Sequence, residues 1–283
     1  MVRSMSYIPM VKLHDGRLLP QVGLGVWQIP DNKLDTVIPT AINNGYRLID
    51  TAFIYENEAG VGRGIKLSEI NRENLYVTTK LWNTEHSHEN ATAAFKSSLA
   101  TLNLDYIDLY LIHWPVPKIN QYVEAWESLI RLRDEGLIRS IGVCNFNIEH
   151  IQKLLDKTGV LPAVNQIELH PGFQQPELRQ FHADQGIQTQ AWSPLGQGTL
   201  WNNSTLIALA KKHNKSVAQI ILRWHIQLGN MIIPKSISSE RQQQNLQIFD
   251  FVLDESDMER IKAIHKPDGR IGPDPELFRL PKS

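Results

Sequence analysis

The sequence predicts a single (β/α)8 barrel, and three observations carry that reading. Short apolar runs rich in Val, Ile and Tyr alternate with amphipathic stretches, the pattern of βα units on a parallel sheet. The strand candidates are evenly spread over about 250 residues, the usual length of that barrel; a doubly wound open sheet of this length would use fewer strands. No linker, low-complexity tract or repeat interrupts the 283 residues, so residues 1–283 read as one domain.

In chain order, residues 11–19 alternate apolar and polar positions on both sides of Asp15-Gly16, which reads as a hairpin with a tight turn. Gly23-Leu24-Gly25-Val26 is the first strand candidate, so hairpin and first strand occupy about 11–25. Residues 33–44 read as a helix closed by Gly45, with Pro39 expected to kink or split it. Further strand candidates are residues 47–50, 75–81, 106–113, 138–144, 163–169, 187–192 and 231–234. Between them lie helical stretches such as 91–104, 123–134, 148–157 and 216–228, and Gly136, Gly159 and Gly186 mark helix ends. Residues 60–64 are glycine-rich but follow a polar loop (Glu56-Asn57-Glu58) and lack the spacing of a dinucleotide fingerprint, so they read as structural. The tail, 267–283, is rich in Pro and Gly and is expected to fold across the barrel mouth as a substrate loop.

Composition narrows the function classes. A hydrophobic content of 42 % with 21 % charged residues suits a protein with a sizeable core. A net charge of -1 offers no field to recruit nucleic acid or an anionic membrane. The single cysteine, Cys144, excludes an intramolecular disulfide and suits a reducing compartment. No apolar run reaches the roughly 18 residues of a membrane span, and the first residues carry no apolar secretion core. The expectation is a cytoplasmic monomer whose partner is a small molecule, with no bound metal.

Three strand candidates carry an ionisable residue at or near the carboxyl end: Asp50, Lys80 and His113. In a barrel those ends share one rim, where active sites form. Lys80 is the most telling alone, since lysine seldom follows an apolar run inward without a partner; the others have ordinary explanations. Asp50 reads equally as a turn cap, His113 as a hydrogen-bonded structural histidine, and Tyr55 as a loop-edge tyrosine. Together they describe a general acid. Lys80 beside Tyr55 would favour phenolate and lower a pKa that starts near about 10. Asp50 would hold Lys80 charged, and a neutral His113 would donate to a substrate carbonyl oxygen. Such a set can protonate an alkoxide as hydride reaches the carbonyl carbon. Trp27, Phe53, Trp82 and Trp114 at loop entries suggest an aromatic substrate wall, and Arg270 is a candidate partner for a substrate carboxylate. Lys235, Ser236, Ser238 and Arg241 stand at the entry to a short helix that includes residues 242–246, an arrangement suited to a phosphate.

Several segments resemble the aldo-keto reductase family. They are 45–52 (Gly-Tyr-Arg-Leu-Ile-Asp-Thr-Ala) with Tyr55-Glu56-Asn57-Glu58, the run from Leu104 to Pro115 that contains His113, and Ile233-Pro234-Lys235-Ser236 followed by Arg241 and Asn245. Within that family, Gly25-Val26-Trp27-Gln28, residues 113–117 and residues 270–275 are similar to the bacterial 2,5-diketo-D-gluconate reductases of the methylglyoxal and β-keto ester reductase type. The resemblance covers essentially the whole chain. It implies Tyr55 as proton donor, Asp50 and Lys80 as tuning residues and His113 as the carbonyl-orienting group. It implies NADPH as cofactor, with Asn145 and Gln166 at the nicotinamide carboxamide and Trp192 stacked on the ring. It assigns the 2′-phosphate to the Lys235–Arg241 region, and Gln244 and Asn245 to the adenine. Gly25, Val26, Trp27, Asp50, Ser193, Leu195, Gln197, Gly198 and Ile237 are implied as further cofactor contacts. Two departures stand out: Trp192 where tyrosine is frequent, and Cys144 where serine is frequent. Two rival functions remain: a Schiff-base aldolase using Lys80 or Lys235, and a non-catalytic NADPH-binding sensor.

Overall fold

The computed structural model describes residues 8–278. An antiparallel hairpin, β1 (Met10–Lys12) and β2 (Leu18–Pro20), precedes the sheet. Eight parallel strands follow: β3 (Leu24–Gly25), β4 (Leu48–Asp50), β5 (Tyr76–Leu81), β6 (Ile107–Ile112), β7 (Ile138–Cys144), β8 (Val164–Glu168), β9 (Gln188–Trp192) and β10 (Met231–Ile232). Each pairs with the next in sequence. The sheet closes where Val22 bridges Ile232 and Gly25 bridges Lys235. The Gly23 N–H donates to Ile232 O at 2.9 Å across that seam. This is the (β/α)8 barrel that the sequence predicts.

Alternation along the strands builds two cores, because successive strand side chains face opposite sides of a sheet. Ile49, Val77, Leu81, Tyr110, Ile112, Val143 and Ile167 pack outward under the helices. Leu48, Leu109, Leu111, Cys144, Val164 and Met231 fill the barrel interior, where Leu13 and Leu19 from the hairpin region join them. One pleat further along, the interior positions turn polar. Asp50 stands two residues beyond Leu48, Lys80 pairs in register with Leu111, and Gln166 pairs with both Cys144 and Gln190. The site is the uppermost layer of the barrel's own core.

The helices are α1 (Leu34–Asn43), α2 (Glu58–Leu67), α3 (His88–Leu102), α4 (Tyr122–Asp134), α5 (Ile148–Thr158), α6 (Pro176–Gln185), α7 (Ser204–His213), α8 (Val217–Gln227), α9 (Ser239–Leu246) and α10 (Glu255–Lys262). Pro39 does not split α1. The helix runs through it, held on the barrel by buried Leu34, Val37, Ile38, Ala41 and Ile42, so the one lost N–H is tolerated. Glu58, read from the sequence as the end of a polar loop, instead opens α2, which also holds the glycine-rich run 60–64. Its glycines serve close packing: a Cβ at Gly64 would lie 2.6 Å from Leu34 O, and one at Gly62 would meet Leu102 O. α7 and α10 were not among the helical stretches read from sequence. The tail has no regular element between α10 and Phe278 and crosses the carboxyl end of the barrel, as expected; residues 279–283 lie outside the described residues.

Candidate active site

The Asp50 carboxylate is buried at the end of β4 and accepts two hydrogen bonds. Lys80 Nζ donates to Oδ1 at 2.6 Å and Gln166 Nε2 to Oδ2 at 2.8 Å. Lys80 Nζ also donates to Thr51 O at 2.8 Å. Lys80 is fully buried, a position a lysine holds only with a partner. Burial works against its charge, but Asp50 and Tyr55 outweigh burial and raise its pKa above the usual lysine value.

Tyr55 arrives by a different route. After β4 the chain makes a single 3₁₀ turn, Phe53–Tyr55, and leaves it through Glu56 in the left-handed region at φ 56°. Asn57 fixes that turn. Its Nδ2 donates to Val26 O and Ile29 O at 3.0 Å each, and its Oδ1 accepts from the Thr51 hydroxyl at 2.7 Å. The turn sets the Tyr55 ring over Lys80, with Nζ 5.1 Å from the ring centroid. The His113 ring meets it edge-on at 5.9 Å. The expectation that Lys80 would lower the Tyr55 pKa is not met as a net effect. Burial dominates and pushes the phenol up to about 12, while Lys80 pulls the other way. Tyr55 is therefore a phenol, a proton donor, at neutral pH. Burial, with the Lys80 charge, holds His113 well below the usual histidine value, so its imidazole is neutral. Among the described residues His113 Nδ1 is buried without a partner, which leaves Nε2 toward the cavity that the residue lines.

The rim opens into one cavity of about 1040 Å³. Asp50, Tyr55 and His113 form part of its floor, while Lys80 lies behind them. Gly25, Asn145, Gln166, Trp192, Ser193, Leu195, Gln197 and Gly198 line the stretch above β3 and β7 to β9. Lys235, Arg241, Gln244 and Asn245 line the end beside α9. Trp27, Trp82 and Trp114 supply an aromatic wall. Six residues named from the sequence do not face the cavity. Val26 packs in the core, and Phe53 turns to solvent at 46 % exposure. Ser238 caps α9 by accepting from the Arg241 N–H, Ser236 donates to Ser238 O, and Ile237 is exposed. Arg270 stacks its guanidinium on Phe173 at 4.6 Å instead of lining the cavity. Cys144 belongs to the interior apolar cluster; burial raises its thiol pKa, and it takes no part in the lining.

Residues the sequence reading missed include Gln28, Ile54, Trp201 and Phe278. Phe278 stacks on Trp114 at 4.4 Å with 7° between planes. Only the proline and glycine content of the tail pointed there. Gln28 accepts from Lys235 Nζ at 3.4 Å across the barrel seam, a contact no local pattern encodes.

The donors present fit a nicotinamide dinucleotide. Gln166 Nε2 is committed to Asp50 and to Gln190, which leaves its Oε1 to accept. Asn145 accepts from Trp192 Nε1 at 2.8 Å and spends one of its two amide hydrogens on His113 O, leaving the other to donate. One free donor and one free acceptor match the two ends of a carboxamide. Some distance along the cavity, Lys235 and Arg241 carry charges that no ion pair neutralises among the described residues, beside the capped start of α9. Cations at a helix N-terminus suit a phosphate.

Comparison with known proteins identifies the family. The model of the aldo/keto reductase family matches residues 21–266. An aldo-keto reductase of Mycobacterium sp. (strain KMS) is 51 % identical over 273 residues, covering 96 % of this chain and 98 % of that protein. Methylglyoxal reductase DkgA of Escherichia coli (strain K12) is 49 % identical over 270 residues, covering 95 % and 97 %. The crystal structure of a Gox0644 mutant in complex with NADPH superposes with a TM-score of 0.94 at 43 % identity, covering 97 % of this chain and all of that one. The chain belongs to the aldo/keto reductase family and is an oxidoreductase.

Proposed function

We propose that this enzyme reduces small aldehydes and ketones to alcohols, with NADPH as cofactor and Tyr55 as the proton donor. The observation that carries the reading is the stack of Asp50, Lys80 and Tyr55 with a neutral His113 beside it. NADPH, when bound, supplies the hydride for the carbonyl carbon. His113 orients the carbonyl oxygen by donating from Nε2, and its neutrality avoids a second buried cation beside Lys80. As charge grows on that oxygen, the Tyr55 hydroxyl donates its proton. The phenolate left behind rests against the Lys80 ammonium, which Asp50 keeps charged, until solvent returns a proton. Asn145 and Gln166 orient the carboxamide, Trp192 stacks on the ring, and Lys235 with Arg241 holds the 2′-phosphate, which favours NADPH over NADH.

Methylglyoxal, 2,5-diketo-D-gluconate and β-keto esters are the proposed substrate range. A relative named as a methylglyoxal reductase supports the first. The aldolase alternative fits poorly. A Schiff-base lysine must be neutral to attack, whereas Lys80 is locked to Asp50 with a raised pKa and Lys235 is solvent-exposed. The test is a fluorescence titration with NADPH and NADH, followed by absorbance loss at the nicotinamide band with the three carbonyl compounds. Tighter NADPH binding and turnover of any of them support the reading. Binding without turnover would favour a nucleotide sensor, and borohydride trapping on lysine would favour the aldolase.

A further inference from the structure

Beyond Asp50, Tyr55, Lys80 and His113, one buried carboxylate has no role in the chemistry above yet touches the cavity wall through the backbone. Glu168 ends β8 on the same rim and is 1 % exposed. Among the described residues its side chain meets no cation of Lys or Arg. Instead Oε1 accepts the Ile271 N–H at 2.6 Å, and Oε2 accepts the Gly272 N–H at 2.8 Å. His170 Nε2 lies 3.0 Å from Oε1. These partners belong to two places far apart in sequence, the β8–α6 loop and the tail.

The tail is tied down again further on. Glu276 Oε1 accepts from Asn147 Nδ2 at 2.9 Å and lies 3.0 Å from His150 Nε2. Between and beyond these two ties, Gly272, Pro273 and Phe278 line the cavity. Phe278 lies flat on Trp114 and edge-on to Trp82 at 6.4 Å. A Cβ at Gly272 would collide with the Trp192 indole, so the tail backbone rests directly on that ring. The arrangement is a strap whose inner fastening is Glu168.

We propose that Glu168 is a positioning residue for substrate specificity: by gripping the Ile271 and Gly272 amides it sets the tail wall that selects and seats the larger carbonyl substrates. The inference rests on the carbonyl reductase reading and assigns Glu168 no contact with the reacting atoms. A charged acceptor suits the task, because two backbone N–H groups on one carboxylate hold more firmly than neutral pairs. Burial alone would raise the Glu168 pKa. The His170 contact and the two amide bonds outweigh it, so the pKa sits below the usual glutamate value and the group is ionised at neutral pH.

The variant that tests this is Glu168→Gln in the full chain, since its amide keeps shape and size but places a donor against a donor. Three quantities are read: KM and kcat for an aromatic aldehyde that reaches the tail wall, the same pair for methylglyoxal, and the NADPH Kd. Hydrogen exchange at the Ile271 and Gly272 amides is followed in parallel. The expected result is faster exchange at those two amides and a KM for the aromatic aldehyde raised about tenfold, as one lost charged hydrogen bond allows. Methylglyoxal KM and NADPH Kd stay within about twofold. An unchanged aromatic KM despite faster exchange overturns the proposal. So does a parallel loss in both substrates, the cofactor and the melting temperature, which would mark a purely structural group. Should Glu168→Gln fail to fold, Phe278→Ala at the far end of the strap must reproduce the same selective rise, and normal kinetics there overturns the proposal. If the unaltered enzyme turns over no carbonyl compound, the reductase reading itself has failed, which is a separate outcome.

Discussion

Asp50, Lys80 and Tyr55 make sense only as a unit, because none is stable in its position without the others. A fully buried ammonium costs several kcal/mol of desolvation, and removing one partner of such a pair leaves the other uncompensated. Lys80→Met is therefore expected to abolish reduction and to destabilise the fold by about 3–5 kcal/mol, read from denaturant unfolding. Stability equal to that of the unaltered protein would mean that Asp50 is readily protonated and that the pair is weaker than its geometry. The identities of Asp50, Lys80 and His113 were legible in the sequence because each breaks an apolar run at one end of a strand. The proton state of Tyr55 was not legible. Its pKa is decided by how deeply the 3₁₀ turn buries the phenol, and that turn is held by Asn57 reaching back to Val26 and Ile29.

Among the elements, α9 and α2 show the two ways short helices serve this site. α9 begins at its Ser238 cap and places Arg241 and Asn245 on the cavity. Arg241→Ala is expected to weaken NADPH binding about tenfold or more while NADH binding changes little, since a guanidinium gains most from a phosphate. Equal weakening of both cofactors would show that Arg241 meets some other part of the dinucleotide. α2 lies behind the catalytic turn and presses on α1 and α3 through glycines. Gly64→Ala would put a methyl group 2.6 Å from Leu34 O and 2.7 Å from Ile38 Cβ. The expected cost is about 1–3 kcal/mol, the usual scale of overpacking, seen as a lower melting temperature with KM for the carbonyl substrate retained. The glycine run at 60–64 read as structural, which it is. That it forms a helix was hidden, because glycine is a poor helix former and only packing against α1 and α3 makes it worthwhile.

At the scale of the whole molecule, the barrel was readable from periodicity, since strands that end in polar residues recur evenly along the chain. The strap across its mouth was not, because Glu168, Ile271 and Gly272 meet through a side chain and two backbone amides that no spacing rule connects. The same global packing sets the pH dependence of stability. Burial holds His86 to about 4 and His182 and His225 to about 3, and holds His113 well below the usual histidine range. In the unfolded chain each titrates near about 6.5. The unfolded state thus takes up protons that the fold refuses. Stability from these neutral histidines is complete above about pH 6.5 and is lost as pH falls below it, at roughly 1.4 kcal/mol per pH unit for each. The urea midpoint is expected to drop between pH 7 and pH 5, and His225→Gln to make the drop shallower by about one proton. A midpoint independent of pH over that range would contradict the burial of these rings.

The measurement that bears most directly on the central claim is a paired assay of Tyr55→Phe, turnover against NADPH affinity. The variant keeps the ring over Lys80 and removes only the hydroxyl. Reduction is expected to fall by about a hundredfold or more, the usual contribution of a positioned general acid, with the NADPH Kd unchanged within about twofold. Turnover close to that of the unaltered enzyme would contradict the account, because the proton would then have to come from somewhere other than Tyr55.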